Sequence, residues 1–406
     1  MRILLLTQWF DPEPTFKGLS FARELVRLGH TVQVLTGFPN YPGGLLYPGY
    51  RIKVIQRETI DGITIIRVPL YPSHDSSALK RICNYFSFAV SAALLGTIFV
   101  KTADVMYVYH PPATIGFAAI LIKFFRRIPF VYDIQDLWPD TLLTTGMLKN
   151  ETLLKLIGWW CHLTYRVADH IVVLSPGFKN KLVERGVPEG KISTIYNWCD
   201  EGKIAIMERS VAAIYEPRMA NRFNVVFAGN MGKAQALDAI LDAAKLLINR
   251  MLNLQFVFIG NGIDVERLKQ IKAKKGLDNV LFLERRPLSE IGSVLSMADL
   301  LLVHLKDDAL FEITIPSKTQ AYMAVGRPIL MAVRGDAANL VAKAGAGIAC
   351  IPEDAGSIAS SVEKLASMTQ VELDEMGQRG ARYYQQELSL AVGTRRFEKL
   401  FSAMIR

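Results

Sequence analysis

The sequence predicts an α/β protein built from two domains, each with a mainly parallel β-sheet. Apolar runs of strand length alternate with helix-like runs from the first residues onward, which is typical of βαβ units. Each half also contains a strand that leads through a glycine-containing loop into a helix. With 406 residues, the chain is long for one hydrophobic core and suits two domains of ~200 residues each.

The first half begins with a strand over residues 2–8, a helix over 18–28 and a second strand over 31–35. The loop before that helix carries Lys17 and Gly18. It lies at the carboxyl end of the predicted sheet, where folds of this kind bind ligands. Further strands are predicted over residues 63–68, 105–109, 129–132, 169–174 and 191–196.

Polar and aromatic residues follow several of these strands. Residues 38–50 hold three prolines, three glycines and three tyrosines, which predicts a mobile loop that either covers a ligand or is a surface excursion. His110 follows a strand, so its ring is placed either to touch a ligand or to serve the fold. Three carboxylates close to one another, which could bind a metal ion if two of them converge or could cap a helix, are Asp133, Asp136 and Asp140.

Residues 82–100 form a run of 19 residues without a charged side chain, flanked by basic residues on both sides. The run is long enough to span a bilayer. It also lies between two predicted strands, where a parallel sheet needs a crossover helix, and spanning would disrupt that sheet. The segment is therefore a transmembrane helix, a buried helix or a helix that lies in the membrane surface. We favour the third, because segments 117–127 and 153–165 are also apolar, aromatic and basic.

The composition indicates an anionic partner. The net charge is +9, half of the residues are hydrophobic, and the mean hydropathy is +0.21. Residues 1–200 hold 21 Lys and Arg against 15 Asp and Glu, which suits a phospholipid surface or a pyrophosphate. No basic run or nucleic-acid-binding signature is present, so we expect no nucleic acid partner.

The four cysteines are scattered without C-x-x-C pairing, which predicts a reducing compartment and no structural zinc site. The apolar start of the chain is too short for a signal peptide. We therefore expect a cytoplasmic protein attached to the inner face of the plasma membrane.

After a predicted linker over residues 200–222, the second half repeats the strand–loop–helix arrangement. A strand over 223–227 leads into a loop with Gly229, Asn230, Gly232 and Lys233, and a helix follows. Backbone N–H groups at a helix start, together with a lysine charge, suit a diphosphate. The loop is neither a Walker A motif nor a G-x-G-x-x-G pattern.

Residues 310–330 provide a second candidate for phosphate and sugar binding. Ser317 can begin a helix, and Lys318 adds a positive charge to its first turn, where free backbone N–H groups favour an anion. Glu312 and Gln320 lie eight positions apart on either side of this loop. Both can accept hydrogen bonds from sugar hydroxyls. The alternative is a surface loop that leads into an ordinary αβ unit.

The segment from Glu312 to Gln320 resembles the E-x7-E motif of retaining GT-B glycosyltransferases that use nucleotide-sugar donors, with Gln in place of the second Glu. The resemblance implies two Rossmann-like domains that face each other across a cleft: residues 1–200, to which a crossover helix over 390–406 returns, and residues 222–389. It implies that the first acid and the following residues hold the donor sugar and diphosphate, and that Gln320 binds ribose. The implied donor site comprises Gly229, Asn230, Gly232, Lys233, Arg285, Glu312, Ile313, Thr314, Ile315, Pro316, Ser317, Lys318 and Gln320.

The run Asp136-Leu-Trp-Pro resembles a stretch that borders the acceptor cleft in transferases of bacterial surface polysaccharide assembly. The implied acceptor contacts are Lys17, Gly18, His110 and Asp136, although Lys17-Gly18 matches only half of the family's Gly-Gly pair. The implied catalytic groups are Glu312, Lys233, Lys318 and His110, with no metal and no cofactor besides the nucleotide-sugar.

Among these transferases, the chain looks most like those that move N-acetyl-L-fucosamine from a UDP-sugar to a saccharide linked to undecaprenyl diphosphate. The alternatives are another GT-B enzyme, such as a sugar-nucleotide epimerase or a phosphorylase, and a non-catalytic membrane scaffold.

Overall fold

The chain folds into two α/β units, each organised around one sheet. The computed structural model describes residues 1–73, 78–144, 146–203 and 207–405. The first unit comprises Met1–Tyr196 together with Gly393–Arg406, and the second comprises Asn197–Val392. Each unit has its own hydrophobic core.

The described part of the first unit contains an eight-stranded sheet in the order β3-β4-β2-β1-β5-β6-β7-β8. Neighbouring strands pair in parallel except β3 and β4, which are antiparallel. The sequence did not predict the edge strand β3, whose residues alternate between exposed and half-buried. The strands are β1 (Arg2–Leu6), β2 (Thr31–Gly37), β3 (Gln56–Ile60), β4 (Ile63–Val68), β5 (Val105–His110), β6 (Phe130–Ile134), β7 (His170–Val173) and β8 (Ile192–Thr194).

Helices connect the parallel strands, and their starts follow the capping rules. Asn150 and Ser175 each accept a hydrogen bond from the backbone N–H three residues on, at 3.0 and 3.1 Å, which satisfies otherwise unpaired donors. The helices of this unit are α1 (Leu19–Arg27), α2 (Ala78–Phe99), α3 (Ile115–Arg126), α4 (Asp140–Thr144), α5 (Glu151–Val167) and α6 (Pro176–Glu184).

The uncharged segment forms α2, which is the crossover helix between β4 and β5, as the sequence predicted. Small residues face the protein: Ala92 and Ala93 are buried, and a side chain at Gly96 would collide with Leu35 and Ile122. The opposite face is exposed. A fully buried helix is therefore excluded as the description of this segment.

The described part of the second unit contains a six-stranded parallel sheet in the order β11-β10-β9-β12-β13-β14. The strands are β9 (Phe223–Ala228), β10 (Leu254–Ile259), β11 (Val280–Leu283), β12 (Leu300–His304), β13 (Ile329–Ala332) and β14 (Gly347–Ala349). The strand order reverses between β9 and β12. In open parallel sheets, ligands bind beyond the carboxyl ends of the strands at such a point.

The helices after α6 are α7 (Arg209–Tyr215), α8 (Asp238–Leu247), α9 (Val265–Lys275), α10 (Leu288–Ser296), α11 (Ala309–Glu312), α12 (Ser317–Val325), α13 (Asp336–Ala344), α14 (Ala355–Ala366), α15 (Gln370–Tyr383) and α16 (Leu390–Ile405). The predicted return of the C-terminal helix to the first unit is confirmed. Phe397 of α16 packs against Phe21 and Tyr107, with ring centroids 5.4 Å apart in each pair.

The segment predicted as a linker is largely part of the second unit. Arg209 of α7 donates to both carboxylate oxygens of Asp299, at 2.5 and 2.9 Å. Arg286 pairs with the buried Glu216 at 2.7 Å. These two ion pairs join the segment to other residues of the second unit.

Candidate functional site

The candidate donor site lies in the second unit, where the loops after β9 and β12 leave the sheet. The loop 229–232 follows β9, and its backbone is supported by the turn after β10. Gly229 N–H donates to Ile259 O at 2.9 Å, and Met231 N–H donates to Asn261 O at 2.7 Å. Met231 is fully buried and anchors the middle of the loop.

Two glycines make this support possible. Gly260 and Gly262 have φ angles of +142° and +156°, which favour glycine. A Cβ at Gly260 would lie 2.0 Å from Gly229 O, and one at Gly262 would lie 2.1 Å from Met231 O. The two glycines thereby fix the position of the candidate phosphate loop relative to the sheet.

Lys318 brings a buried positive charge to the same place. Its Nζ lies 3.5 Å from the centroid of the Phe227 ring and 3.5 Å from where a Cβ of Gly229 would be. Although part of the residue is exposed, the nitrogen is buried and makes no hydrogen bond with any residue that the structure describes. Burial lowers the pKa of Lys318 to about 7. A buried cation without a partner, next to a glycine loop, suits an anionic ligand.

Glu312 ends α11, and its side chain is exposed. Asp308 caps this short helix by accepting from Leu310 N–H at 2.9 Å. The Glu312 carbonyl packs on Gly335, where a Cβ would lie 2.0 Å from it. Across the described ranges, no ion pair or hydrogen bond involves the Glu312 carboxylate, so it is available to a ligand.

The segment between Glu312 and α12 is anchored at both ends. Thr314 Oγ1 donates to Leu310 O at 2.7 Å, Ile315 is buried, and Ser317 is exposed at the start of α12. Ile313 and Pro316 are half-buried. The first turn of α12 therefore presents its backbone beside Lys318.

Gln320 is almost fully buried. In the amide orientation that satisfies its hydrogen bonds, the side-chain nitrogen donates to Pro316 O at 3.0 Å and to Ser317 O at 3.1 Å, so the side chain stabilises the first turn of its own helix. The ribose contact stays a prediction, and the Gln320 side chain would have to turn outward to make it.

The other donor-site candidates are exposed. Lys233 begins a tight turn, Lys233–Gln235, which Gln235 closes by accepting from Gly232 N–H at 3.0 Å. Asn230 precedes it and is also exposed, as is Arg285 in the loop after β11.

In the first unit, the expected role of Lys17 is corrected. Its Nζ donates to Asp133 Oδ2 at 2.5 Å, and both side chains are fully buried. The Tyr107 hydroxyl donates to the same oxygen at 2.5 Å, and Gln135 donates to the other oxygen at 2.7 Å. Lys17 therefore neutralises a core carboxylate and is not presented to an acceptor. Removing one partner of such a buried pair typically costs about 3–5 kcal/mol.

The neighbouring predictions have different outcomes. Gly18 precedes α1, and a Cβ there would lie 2.3 Å from Asp11 Oδ2, which accepts from Leu19 N–H at 2.7 Å. The three carboxylates at the end of β6 and just beyond it do not converge on a metal, because Asp133 pairs with Lys17 and Asp140 with Arg185. Within the described residues, no cluster of His, Cys, Asp or Glu could hold a metal ion.

His110 and Asp136 keep free polar groups at the carboxyl end of the first sheet. Both ring nitrogens of His110 are buried and lack a hydrogen-bond partner among the described residues. Burial lowers the pKa of His110 to about 3, so the imidazole is neutral at physiological pH. Its ring meets Trp138 edge-on, with centroids 5.7 Å apart. Burial raises the pKa of Asp136 to about 6.

Sequence reasoning missed the group that holds the aromatic loop 38–50. Glu13 is buried and accepts from the N–H groups of Asn40 and Tyr41, each at 2.7 Å. Burial raises the pKa of Glu13 to about 7. Tyr41 in turn lies against Trp9, with ring centroids 4.8 Å apart. In the sequence, Glu13 is only an acidic residue between two prolines, and this pattern does not indicate that its side chain is buried.

Comparisons with known proteins agree with this architecture. A model of the glycosyl transferase 4-like domain matches residues 19–198, and a model of the glycosyl transferases group 1 matches residues 222–368. The chain is 27% identical over 344 residues to the putative colanic acid biosynthesis glycosyl transferase WcaI of Escherichia coli K12, covering 80% of this chain and 82% of the relative. It is 25% identical over 297 residues to the probable glycosyltransferase WbjE of Pseudomonas aeruginosa, covering 72% of each.

Solved structures share the fold at low sequence identity. HepE of Anabaena in complex with UDP-glucose has a TM-score of 0.72 and 17% identity, covering 99% of this chain and 100% of that chain. WaaG, a glycosyltransferase involved in lipopolysaccharide biosynthesis, has a TM-score of 0.65 and 15% identity, covering 99% of both. Together with the two Rossmann-like sheets, these comparisons identify the chain as a two-domain glycosyltransferase with the GT-B fold. It carries a glycosyl transferase 4-like domain in its first half and a group 1 domain in its second.

The glycine support of the loop 229–232 can be tested with a matched pair of variants. Gly262→Ala should lower stability by about 1–3 kcal/mol through overpacking and should weaken UDP binding, because the loop must move. Gly276→Ala also places alanine at a positive φ, +61°, but no atom lies within 4 Å of the added Cβ. Thermal melting and calorimetric titration with UDP measure both effects. Equal losses in the two variants would contradict the proposed support.

Proposed function

We propose that this glycosyltransferase transfers a sugar from a nucleoside diphosphate donor, with retention of the anomeric configuration, to a lipid-linked saccharide in bacterial surface polysaccharide assembly. The observation that carries the donor assignment is the buried, unpartnered ammonium of Lys318 beside the loop 229–232. The start of α12 adds backbone N–H groups that favour the same anion.

In the proposed reaction, the leaving diphosphate gains negative charge as the sugar departs. Lys318, the nearby Lys233 and the N-terminus of α12 would stabilise that charge, and preorganised groups of this kind lower the barrier. These positive groups support a reaction without a metal ion. Glu312 would accept hydrogen bonds from the hydroxyls of the donor sugar, and the E-x7-Q resemblance is the ground for proposing retention.

His110 and Asp136 would contact the acceptor from the first unit. A neutral imidazole can donate from one nitrogen and accept at the other, which suits a sugar hydroxyl. The pKa of Asp136, raised to about 6, leaves it largely ionised at neutral pH, so it would accept a hydrogen bond from a second hydroxyl.

The relatives support the substrate class. WcaI is described as a colanic acid biosynthesis enzyme, WaaG as a lipopolysaccharide enzyme, and HepE was solved with UDP-glucose. We therefore propose a UDP-sugar as donor. N-acetyl-L-fucosamine remains the proposed sugar on the sequence resemblance alone, and undecaprenyl diphosphate the proposed carrier of the acceptor.

A lipid-linked acceptor requires contact with a membrane, and α2 provides a surface for it. Among the described residues, one helix is long and apolar enough to cross a membrane. It spans Leu79–Phe99, and 33% of its most apolar 18-residue stretch is buried. From Ile82 onward, its exposed large side chains recur at every fourth position: Ile82, Phe86, Val90, Leu94 and Ile98. We call this set the α2 stripe.

Neighbouring helices extend the apolar surface. Arg126 of α3 donates to Thr97 O and Val100 O at 3.2 and 2.8 Å, which holds α3 beside α2. Phe124 and Phe125 of α3 are exposed, as is Trp159 of α5. Basic residues border the apolar ones, which suits anionic lipid headgroups. We propose that this surface lies on the cytoplasmic face of the plasma membrane, without a membrane span.

The donor assignment is tested by calorimetric titration with UDP, GDP and TDP in the presence of EDTA. Selective binding of UDP is expected, together with turnover of a UDP-sugar that Glu312→Ala reduces by at least ~100-fold, as for loss of a catalytic hydrogen-bonding group. Glu375→Ala removes an exposed carboxylate on α15 and serves as the control. Nucleotide binding without any turnover would favour the non-catalytic scaffold, and no nucleotide binding would refute the donor site.

The charge of Lys318 predicts a pH dependence. Its pKa of about 7 in the free protein should rise when a diphosphate binds, because an opposite charge favours the protonated form. UDP affinity should therefore be highest below that pKa and fall as the pH rises above it, by up to about tenfold per pH unit. Calorimetry in buffers of different ionisation enthalpy measures the accompanying proton uptake. Lys318→Met should give weak and pH-independent binding; a flat wild-type profile would exclude the role of Lys318.

Membrane attachment is tested by flotation with vesicles. The protein should float with vesicles that contain phosphatidylglycerol and less with pure phosphatidylcholine. Phe86→Ser/Leu94→Ser should release it, since burying each large apolar side chain contributes about 1.5–3 kcal/mol. Leu252→Ser/Ile263→Ser replaces two side chains of the second unit that are even more exposed. If both double variants float alike, the α2 stripe is not the attachment site.

A further inference from the structure

His304 is a buried polar residue at the end of β12 that the proposed mechanism does not use. It is fully buried, and both of its ring nitrogens have partners. Nδ1 lies 2.6 Å from Gln235 O, and Nε2 accepts from Glu353 N–H at 3.0 Å. A carbonyl can only accept and an N–H can only donate, so these contacts define a neutral ring with its proton on Nδ1.

The Nδ1 hydrogen bond holds the turn that carries Lys233. Gln235 is the last residue of that turn, and its side chain closes the turn on Gly232. Lys306 N–H, two residues beyond His304, donates to Ala234 O at 2.9 Å. The exit of β12 thus binds two successive carbonyls of the turn, which fixes the start of the Lys233 side chain relative to the sheet.

The Nε2 hydrogen bond connects His304 to the segment that leads to Glu312. Glu353 has a φ angle of +56°, and its Oε2 accepts from Asp307 N–H at 2.8 Å. Asp307 precedes Asp308, which caps the helix that ends at Glu312. One imidazole ring therefore lies between the turn with Lys233 and the segment that leads to Glu312.

The electrostatic surroundings keep this ring neutral. Burial lowers the pKa of His304, and the charge of Lys318 lowers it further, while the Gln235 carbonyl and Glu353 act in the opposite direction. A protonated ring would direct an Nε2–H at the N–H of Glu353, which leaves two donors facing each other.

We propose that His304 is a positioning residue for donor binding. His304 does not touch the donor. Its hydrogen bond to Gln235 O holds the turn 233–235 in the position, relative to the sheet, from which the Lys233 ammonium reaches the diphosphate. The inference rests on the proposed function, because it takes Lys233 as a donor contact. Without the bond, the Gln235 carbonyl loses a donor and the turn can shift.

Two conservative substitutions separate the two ring nitrogens. In His304→Asn, the side-chain amide can occupy the place of Nδ1 and still donate to Gln235 O. In His304→Gln, the longer side chain reaches the place of Nε2 and can accept from Glu353 N–H, but it leaves Gln235 O without this donor. UDP should bind His304→Asn within about twofold of the wild type and His304→Gln about tenfold more weakly, as expected for one lost buried hydrogen bond.

A double-mutant cycle with Lys233→Ala distinguishes positioning from general destabilisation. Lys233→Ala should weaken UDP binding in the wild-type and His304→Asn backgrounds, but much less in His304→Gln, because the displaced ammonium no longer contributes. Melting temperatures of all variants show whether each one folds.

The outcomes separate this inference from the proposed function. If Lys233→Ala leaves UDP binding unchanged in the wild type, Lys233 is not a donor contact and the proposed donor site is wrong at that residue. If Lys233→Ala weakens binding equally in all backgrounds, or if the Asn and Gln variants bind UDP alike, the donor site stands and the positioning role of His304 is refuted.

Discussion

The close approach of two backbone loops is the constraint on which the candidate donor site depends. The loop 229–232 rests directly on the turn after β10, and the contact distances leave no room for a Cβ at Gly260 or Gly262. Because main chain packs on main chain, the loop has little freedom to move toward or away from the sheet. The buried ammonium of Lys318 and the start of α12 therefore lie beside a loop whose position relative to the sheet is fixed. Preorganisation of this kind is what allows charged groups to stabilise a leaving diphosphate.

Lys17 and Lys318, each with a buried ammonium, show how a partner distinguishes a structural role from a ligand-binding one. Lys17 and Lys318 both lie next to glycines at the carboxyl ends of their sheets, and the sequence suggested a ligand for each. Lys17 has Asp133 within 2.5 Å, so its charge is compensated inside the fold. Among the residues that the structure describes, Lys318 has only the face of the Phe227 ring as a partner. Such an interaction is worth roughly 2 kcal/mol when desolvated, which does not replace lost hydration. The desolvation that lowers the pKa of Lys318 is the energy that a bound phosphate would recover.

The arrangement of the fold was predictable from the sequence because alternating apolar strands and amphipathic helices determine it locally. The two α/β units, the crossover role of α2 and the position of the loop 229–232 follow from that pattern. The GT-B architecture and the return of α16 were instead implied by the resemblance of the segment from Glu312 to Gln320 to a glycosyltransferase motif. Contacts between distant segments were not predictable. The pairing of Lys17 with Asp133 joins residues 116 positions apart, and the hydrogen bond from Asn40 N–H to Glu13 joins residues 27 positions apart. The role of His304 was not predictable either, because nothing in the sequence links it to Gln235 or Glu353.

The size of the side chains on α2, rather than their polarity, indicates that the α2 stripe contacts a membrane surface. Both faces of α2 are apolar, so a contrast between polar and apolar residues cannot orient the helix. Apart from Phe88, the buried face is built mainly from small residues such as Ala89, Ala92 and Gly96, while large side chains lie outside. A soluble domain gains more by burying its large apolar residues, at about 25 cal/mol per Å². In α2 the large apolar side chains lie outside instead, so the free energy of burying them is not gained in water. It is recovered when the exposed face enters an apolar phase, and the small inward residues let α2 stay close to the sheet meanwhile.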